Sequence, residues 1–425
     1  MRKRWASHES TEGRLQRGRG AGFRDALDDR ALSVEAVVAC VVDDPRLDRQ
    51  VEDRGLYYAR LVAELGIPLA ALEEHLFDDA AASRHLLALD TLECLAAYGN
   101  DAARSLLRRY LDEGSAWESA LHRLVSVSPP EEHDAIRRAA DGRGSPAVLT
   151  DDPAVVAATL SSDAGARWHD DVARRARLPV GELLEQAAQD PSRLVLYARY
   201  LQEKSDGDSR DAMMRAAADG EGGARGAAMI ALGELDDDRI LDVCEDVLRS
   251  DDDRLVRAAY RAATSLRTTR ARERARGWAN RGGWLGDTGK TLLARTGTID
   301  DVPLLEQAFA AAAHDDDAYL LCDIAAAFAR LRDPSSVHLL RDAYERAVYS
   351  YLRTECALAL EVLDPAFGTT WAFESLWDCE ARTRLVGCRS LDASRLDEAR
   401  PWLRFLAADP NEDVEVAAAA NARAG

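Results

Sequence analysis

The chain has 425 residues and a formal net charge of −20 at pH 7. Because attraction to phosphate supplies most non-specific affinity for nucleic acid, this charge argues against a general nucleic-acid binder. The 7 cysteines form no Cys-x-x-Cys pair, which favours reduced thiols in a cytoplasmic protein over a disulfide framework or a zinc site.

Residues 1–23 are rich in arginine and glycine, and Arg17 and Arg19 alternate with Gly18 and Gly20. This composition offers little apolar surface for a core, so we predict a disordered basic tail. No apolar segment follows the opening charges, so the tail is not expected to be a secretory signal. No apolar stretch in the chain is long enough to cross a bilayer.

Regularly spaced helix pairs are the main feature of residues 24–141 and 191–425. Ala-rich apolar helices alternate with polar turns and second helices, at a period of about 30 residues. We place the first helices of successive pairs near residues 54, 85, 117, 193, 225, 255, 287, 318, 351, 383 and 413. A period of this length predicts an all-α solenoid, whose usual role is to present a long surface to a partner.

One interval, between the helices near residues 117 and 193, is longer than two repeats. It contains glycine, proline and aspartate in turn-forming segments at residues 141–146 and 150–153. We interpret residues 142–190 as irregular or degenerate repeats with an inserted loop. Both a hinge and a docking loop are compatible with this composition.

Aspartate clusters separate the helices, for example at residues 236–238, 251–253 and 315–317. An aspartate at a helix start accepts hydrogen bonds from free backbone N–H groups and suits the positive end of the helix dipole. None of these clusters has the spacing of a calcium-binding loop. We therefore predict that they cap helices.

The helix pairs resemble the bacterial HEAT-like repeat family, including its short phycobilisome-lyase type. The resemblance is carried by residues 227–232 followed by Gly233, by residues 256–259 and by residues 331–340. It implies a right-handed α-solenoid of about 11–12 antiparallel helix pairs, with the second helices lining the concave face. The residues common to this family are structural, so the resemblance indicates a fold rather than an activity.

Few motifs could carry chemistry. The segment Gly286-Asp-Thr-Gly-Lys-Thr291 lacks the first glycine of a phosphate-binding loop, because Trp284 occupies that position. Glu118 and His122 share one helix face, but no second pair completes a metal site. No Gly-x-Ser-x-Gly or cysteine–histidine signature marks a nucleophile. We predict no catalytic residue, no metal and no cofactor.

One helix, at residues 267–281, is strongly basic and contains a single acid, Glu273. An alanine stripe on this helix is expected to pack inward, opposite three arginines that share one face: Arg270, Arg274 and Arg281. Such a face suits an acidic peptide, a phosphorylated partner or nucleic acid. The alternative is a solvated face, or a ladder of ion pairs with the acids of neighbouring repeats.

A tryptophan completes the predicted binding site. Phe373, Leu376 and Trp377 follow the spacing of a core stripe, and Trp371 points away from it. An outward tryptophan on a second helix is a candidate binding anchor.

The predicted function is a non-catalytic scaffold or adaptor that binds a protein or peptide along the concave face. An acidic or phosphorylated segment is the favoured partner, and nucleic acid is disfavoured. Two alternatives stay open. One is a HEAT-like enzyme similar to bilin lyases or DNA glycosylases, and the other is a repeat subunit that regulates a neighbouring enzyme.

Overall fold

A computed structural model describes residues 5–46, 54–78, 84–143, 174–175 and 177–425. All regular secondary structure in these ranges is helical, so the prediction of an all-α protein is confirmed. The chain forms two compact units. Unit 1 joins Met1–Val155 to Pro334–Gly425, and unit 2 is Val156–Asp333. Most of the loop predicted within residues 142–190 lies outside the described residues.

The helices of unit 1 that precede unit 2 in sequence are α1 (Thr11–Gln16), α2 (Gly20–Asp28), α3 (Arg30–Val42), α4 (Arg54–Leu65), α5 (Ala70–Leu76), α6 (Leu86–Ala97), α7 (Asp101–Glu113), α8 (Trp117–Val127) and α9 (His133–Asp141). The helices of unit 2 are α10 (Val180–Gln189), α11 (Leu194–Gln202), α12 (Gly207–Asp219), α13 (Gly222–Glu234), α14 (Leu241–Val247), α15 (Asp253–Ser265), α16 (Thr269–Trp278), α17 (Gly283–Thr296), α18 (Val302–His314) and α19 (Ala318–Leu331). Unit 1 then continues with α20 (Val337–Arg346), α21 (Ser350–Leu363), α22 (Trp371–Ser375), α23 (Ala381–Ser390), α24 (Leu396–Ala408) and α25 (Val414–Ala424).

The predicted succession of helix pairs is confirmed. The predicted first helices begin within about one helical turn of the expected positions. Neighbouring first helices pack against one another, as α13, α15, α17 and α19 do in unit 2, and each of these also packs against the second helix that precedes it in sequence. The superhelix and its handedness stay predictions.

Small residues allow the first helices to approach closely. In α13 every residue from Gly226 to Leu232 is buried. A Cβ atom on Gly233 would lie 2.3 Å from the carbonyl oxygen of Ala262 in α15, so no larger residue fits there. The short interaxial distance therefore requires alanine and glycine at these contacts; alanine also favours the helix, whereas glycine is a poor helix former that is needed here for space.

Polar side chains set the ends and the register of these helices. Asp252 accepts hydrogen bonds from backbone N–H groups at the start of α15, and Asp317 does so at the start of α19, as predicted for the aspartate clusters. Neighbouring first helices are linked about one repeat apart: Ser265 donates to Glu234 at 3.1 Å, and Arg295 donates to Asp323 at 3.3 Å. A shift in register would break these bonds.

The prediction of a disordered tail is wrong for residues 5–23. This segment forms α1 and the start of α2, and both Leu15 and Phe23 are buried in the core of unit 1. The carbonyl oxygen of Gly18 accepts a 2.9 Å hydrogen bond from the backbone N–H of Cys379, and Arg19 forms a 2.9 Å ion pair with Glu374. The partners of Gly18 and Arg19 lie far away in sequence, so the local composition of residues 5–23 could not reveal them.

Buried ion pairs join the two sequence segments of unit 1. Arg60 in α4 contacts Asp409 at 2.6 Å and Glu412 at 2.9 Å, and Arg384 in α23 contacts Glu412 at 2.6 Å. The hydroxyl of Tyr98 donates to Asp409 at 2.8 Å. These contacts differ from the expected solenoid, in which each repeat contacts only its neighbours.

We expect this network to make the stability of unit 1 depend on pH under acidic conditions. Burial tends to raise the pKa of Glu412, but the guanidinium groups of Arg384 and Arg60 outweigh it and hold the pKa below its usual value. The carboxylate therefore stabilises the fold fully above its unfolded pKa of about 4.3, and this contribution is lost as the pH falls. We expect the free energy of unfolding to decline between about pH 5 and pH 3.

Urea unfolding as a function of pH checks this expectation, with Glu412→Gln as the comparison. The free energy of unfolding of the variant should be lower than that of the unaltered protein at neutral pH. It should also decrease less as the pH falls, because the variant has no carboxylate to protonate at this position. An equal slope in the two proteins would contradict a role for Glu412.

Candidate functional site

A groove on the surface of unit 2 contains the three predicted arginines. It has a volume of about 460 Å³ and lies along α14 and α16. We call it the arginine groove, and it is lined by Glu245, Arg249, Arg270, Glu273, Arg274, Gly277, Trp278 and Arg281.

The sequence of α16 orients the groove. The side chain of Thr268 caps the helix by accepting a hydrogen bond from the backbone N–H of Ala271. Ala271, Ala275 and Trp278 are buried against the rest of unit 2. The predicted alanine packing stripe is therefore confirmed, and the opposite face carries the arginines outward.

Acidic side chains from the preceding second helix pair with two of these arginines. Arg274 contacts Asp242 at 2.7 Å and also forms an ion pair with Glu245. Arg270 reaches Asp242 at 3.3 Å and Asp238 at 3.5 Å. The ladder of ion pairs, which the sequence left open as the alternative, is thus present at Arg270 and Arg274.

Glu245 organises the floor of the groove. Its carboxylate accepts a 2.9 Å hydrogen bond from the indole N–H of Trp278 and also pairs with Arg274 and Arg249. Burial tends to raise the pKa of Glu245, but hydrogen bonds from these three groups lower it below the usual value. The group therefore stays ionised at neutral pH and fixes the orientation of Trp278.

The mouth of the groove is open at Arg281 and Gly277. Arg281 is exposed and forms no ion pair with the described part of the chain. Apart from the backbone of its own helix and its two chain neighbours, no described atom lies within 4 Å of the position that a Cβ atom would take on Gly277. The guanidinium group of Arg281, which has no ion-pair partner among the described residues, therefore lies at an open part of the groove that a bound group can enter.

Trp371 belongs to unit 1, whereas the three arginines belong to unit 2. Its ring is half-buried and packs against Tyr344, with 5.0 Å between the ring centroids. Phe373, Leu376 and Trp377 are buried, as the predicted core stripe requires. The arginine groove does not include Trp371.

Other chemistry has little support in the described residues. The segment Gly286–Thr291 lies inside α17, where Gly286 and Gly289 are buried and cannot cradle a phosphate. No group of histidine, cysteine, aspartate and glutamate side chains within the described ranges is arranged to hold a metal ion. Burial raises the pKa of the Cys40, Cys244 and Cys388 thiols to about 12, which makes each a poor nucleophile at neutral pH.

Comparison with known proteins identifies no family. No protein-family model matches the chain, and no curated protein matches its sequence. The HEAT-like resemblance therefore stays a prediction. None of the described helices is long and apolar enough to cross a membrane.

Sequence reasoning missed Glu245, Arg249, Gly277 and Trp278 as parts of the groove. A signal for them was present, because Glu245 and Trp278 are separated by 33 residues, close to one repeat. Successive second helices place such residues side by side, so the acids of one second helix could have been matched to the arginines of the next.

Proposed function

We propose that this protein is a non-catalytic interaction scaffold and that the arginine groove binds an acidic or phosphorylated segment of a protein partner. The observation that carries the proposal is the lining of the groove: four arginines and two glutamates around a tryptophan held by a hydrogen bond. Arginine recognises carboxylate and phosphate through paired N–H donors, which suits such a segment.

The existing ion pairs do not prevent this binding. Arg270 is 47% exposed and its partner Asp242 is 64% exposed. Exposed pairs of this kind contribute only about 0.2–1 kcal/mol, so a guanidinium can exchange its partner at little cost. Arg281 needs no exchange, because it forms no ion pair within the described residues. A long polyanion is disfavoured by the aspartates of α14 and by the net charge of −20.

Filling the groove should abolish capture of a partner. In Gly277→Leu the new side chain enters open space, so the fold should be retained, and leucine is more favourable than glycine inside a helix. We expect capture of groove-bound proteins from native lysate, measured by quantitative mass spectrometry, to fall at least about tenfold, as for loss of a binding hot spot.

Gly181→Leu is the matched control, because Gly181 lies in α10 of the same unit and also has no atom near the position of a Cβ. The unaltered protein and the control should capture the same proteins, and circular dichroism should show all three folded. Equal capture by Gly277→Leu would move the site elsewhere. If none of the three captures a protein, the scaffold proposal fails.

A further inference from the structure

A second cationic surface of unit 2 lies on a first helix. Arg254, Arg257 and Arg261 follow an i, i+3, i+7 spacing on α15, so they share one face, and all three are exposed. Arg254 and Arg257 form no ion pair with any described residue, and Arg261 has only a long 3.8 Å contact with Glu234. We call these three residues the arginine ridge.

The arginine ridge differs from the arginine groove in how its guanidinium groups are paired with acidic side chains. No residue of the ridge lines the groove. In the groove, acids of the preceding helix already pair with Arg270 and Arg274, whereas Arg254 and Arg257 have no such acid. In a chain with a net charge of −20, α15 therefore carries two exposed guanidinium groups on one face that form no ion pair with any described residue.

An aromatic pair borders the ridge. Tyr260 lies between Arg257 and Arg261 on α15 and contacts Trp284 of α17, with 5.8 Å between ring centroids and an interplanar angle of 69°. The Tyr260 hydroxyl is hydrogen-bonded to Thr291 at 3.1 Å, which fixes the ring. Trp284 is 42% exposed, so an apolar face is available beside Tyr260.

Repeat geometry extends the aromatic edge. Arg254, Trp284 and Tyr319 are each the second residue of a successive first helix: α15, α17 and α19. Tyr319 is 61% exposed. Because neighbouring first helices pack against one another, the first turns of α15, α17 and α19 lie in a row along unit 2. The side chains in this row are cationic at Arg254 and aromatic at Trp284 and Tyr319.

We propose that the arginine ridge and Trp284 form a docking surface for a short segment of a protein partner that combines acidic residues with a large apolar side chain. The acidic residues pair with Arg254 and Arg257, and the apolar side chain packs on Trp284. Arginine and tryptophan are the residues most enriched among binding hot spots. This surface adds to the proposed scaffold function and does not depend on the arginine groove.

The size of the ridge limits the length of the segment. Arg254 and Arg261 are separated by two helical turns, or about 10 Å along the axis. An extended peptide covers that distance with about three residues. Aspartates at residues 251–253 and 315–317 flank the helices that carry the row. These acids would repel a longer polyanion, so the charge pattern favours a short acidic peptide over nucleic acid.

The test uses a phage-displayed library of random peptides, selected against the full-length protein. Enriched peptides are then labelled, and their Kd is measured by fluorescence anisotropy. We expect them to place acidic residues beside an aromatic or large aliphatic side chain. Their Kd should rise at least about tenfold for Arg254→Glu/Arg257→Glu and for Trp284→Ala.

Two controls separate this surface from the rest of unit 2. Arg215→Glu reverses another exposed arginine that forms no ion pair within the described residues, and it should leave the Kd unchanged. Gly277→Leu fills the arginine groove and should also leave the Kd unchanged.

The double variant Arg254→Glu/Arg257→Glu should stay folded, because it breaks no ion pair among the described residues and places glutamate in the first turns of a helix, where the dipole favours it. Circular dichroism verifies this.

Several results would overturn the proposal. These are enrichment of peptides without acidic residues, no enrichment at all, and an unchanged Kd in the double variant. Loss of binding in Gly277→Leu alone would assign the peptides to the groove instead. Binding of oligodeoxythymidylate that depends on Arg254 and Arg257 would make the ridge a nucleic-acid surface, which also contradicts the proposal.

Discussion

Gly20→Ala should destabilise unit 1 by about 3 kcal/mol, because the site has no room for a side chain. A Cβ atom on Gly20 would lie 1.9 Å from the carbonyl oxygen of Glu374, and a backbone atom in a packed core cannot move aside cheaply. Gly20 begins α2, which carries Phe23 into the core. Urea unfolding and amide hydrogen exchange in α1, α2 and α22 measure the effect.

Gly181→Ala is the control for this substitution, since its Cβ would meet open space. We expect it to be neutral or slightly stabilising. In Gly20→Ala, exchange should rise in α2 and in α22 together, because the two helices hold each other in place. Unchanged protection in both helices would contradict the docked arrangement of residues 5–28.

Arg353→Met should cost about 3–5 kcal/mol, the usual penalty for leaving one partner of a buried ion pair alone. Arg353 and Asp378 are both fully buried, and the guanidinium contacts the carboxylate at 2.5 Å and 3.1 Å. Removing the guanidinium strands a carboxylate in a medium of low dielectric constant. The free energy of unfolding at neutral pH is the quantity to measure.

A second ion pair nearby provides the matched control. Arg346 contacts Asp342 at 2.6 Å, but the two side chains are 61% and 57% exposed. Arg346→Met should therefore change stability by no more than about 0.5 kcal/mol. Adding Asp378→Asn to Arg353→Met should restore part of the lost stability, because no charge is then stranded. Equal losses for the buried and exposed pairs would show that burial is not the cause.

The helix pairs could be predicted because their signals are local. Apolar residues at helical spacing, aspartates at helix starts and a regular period specify each helix without reference to distant residues. The same holds for the alanine stripe of α16, where Ala271 and Ala275 are buried as expected. For these features the neighbours in space are also close in sequence.

The candidate site was predictable only in part. Helical spacing correctly placed Arg270, Arg274 and Arg281 on one face, and the structure brings them to one groove. The acids that pair with them come from another helix, so counting the charges of α16 alone overstated the positive charge. The arginine ridge was missed because Arg254, Arg257 and Arg261 stand among many charged residues, and only the structure distinguishes paired from unpaired arginines.

The sequence by itself determined the all-helical class, the helix pairs, their caps and the alanine-rich contacts between them, because each depends on residues within about one repeat. The tertiary structure alone decided the fate of the N-terminal segment and the composition of unit 1. Arg19 meets Glu374, and Arg60 meets Asp409 and Glu412, across more than 340 residues of chain. A guanidinium group can be hydrated at the surface or buried in an ion pair with a carboxylate. The residues next to it in sequence do not reveal which of these environments it occupies.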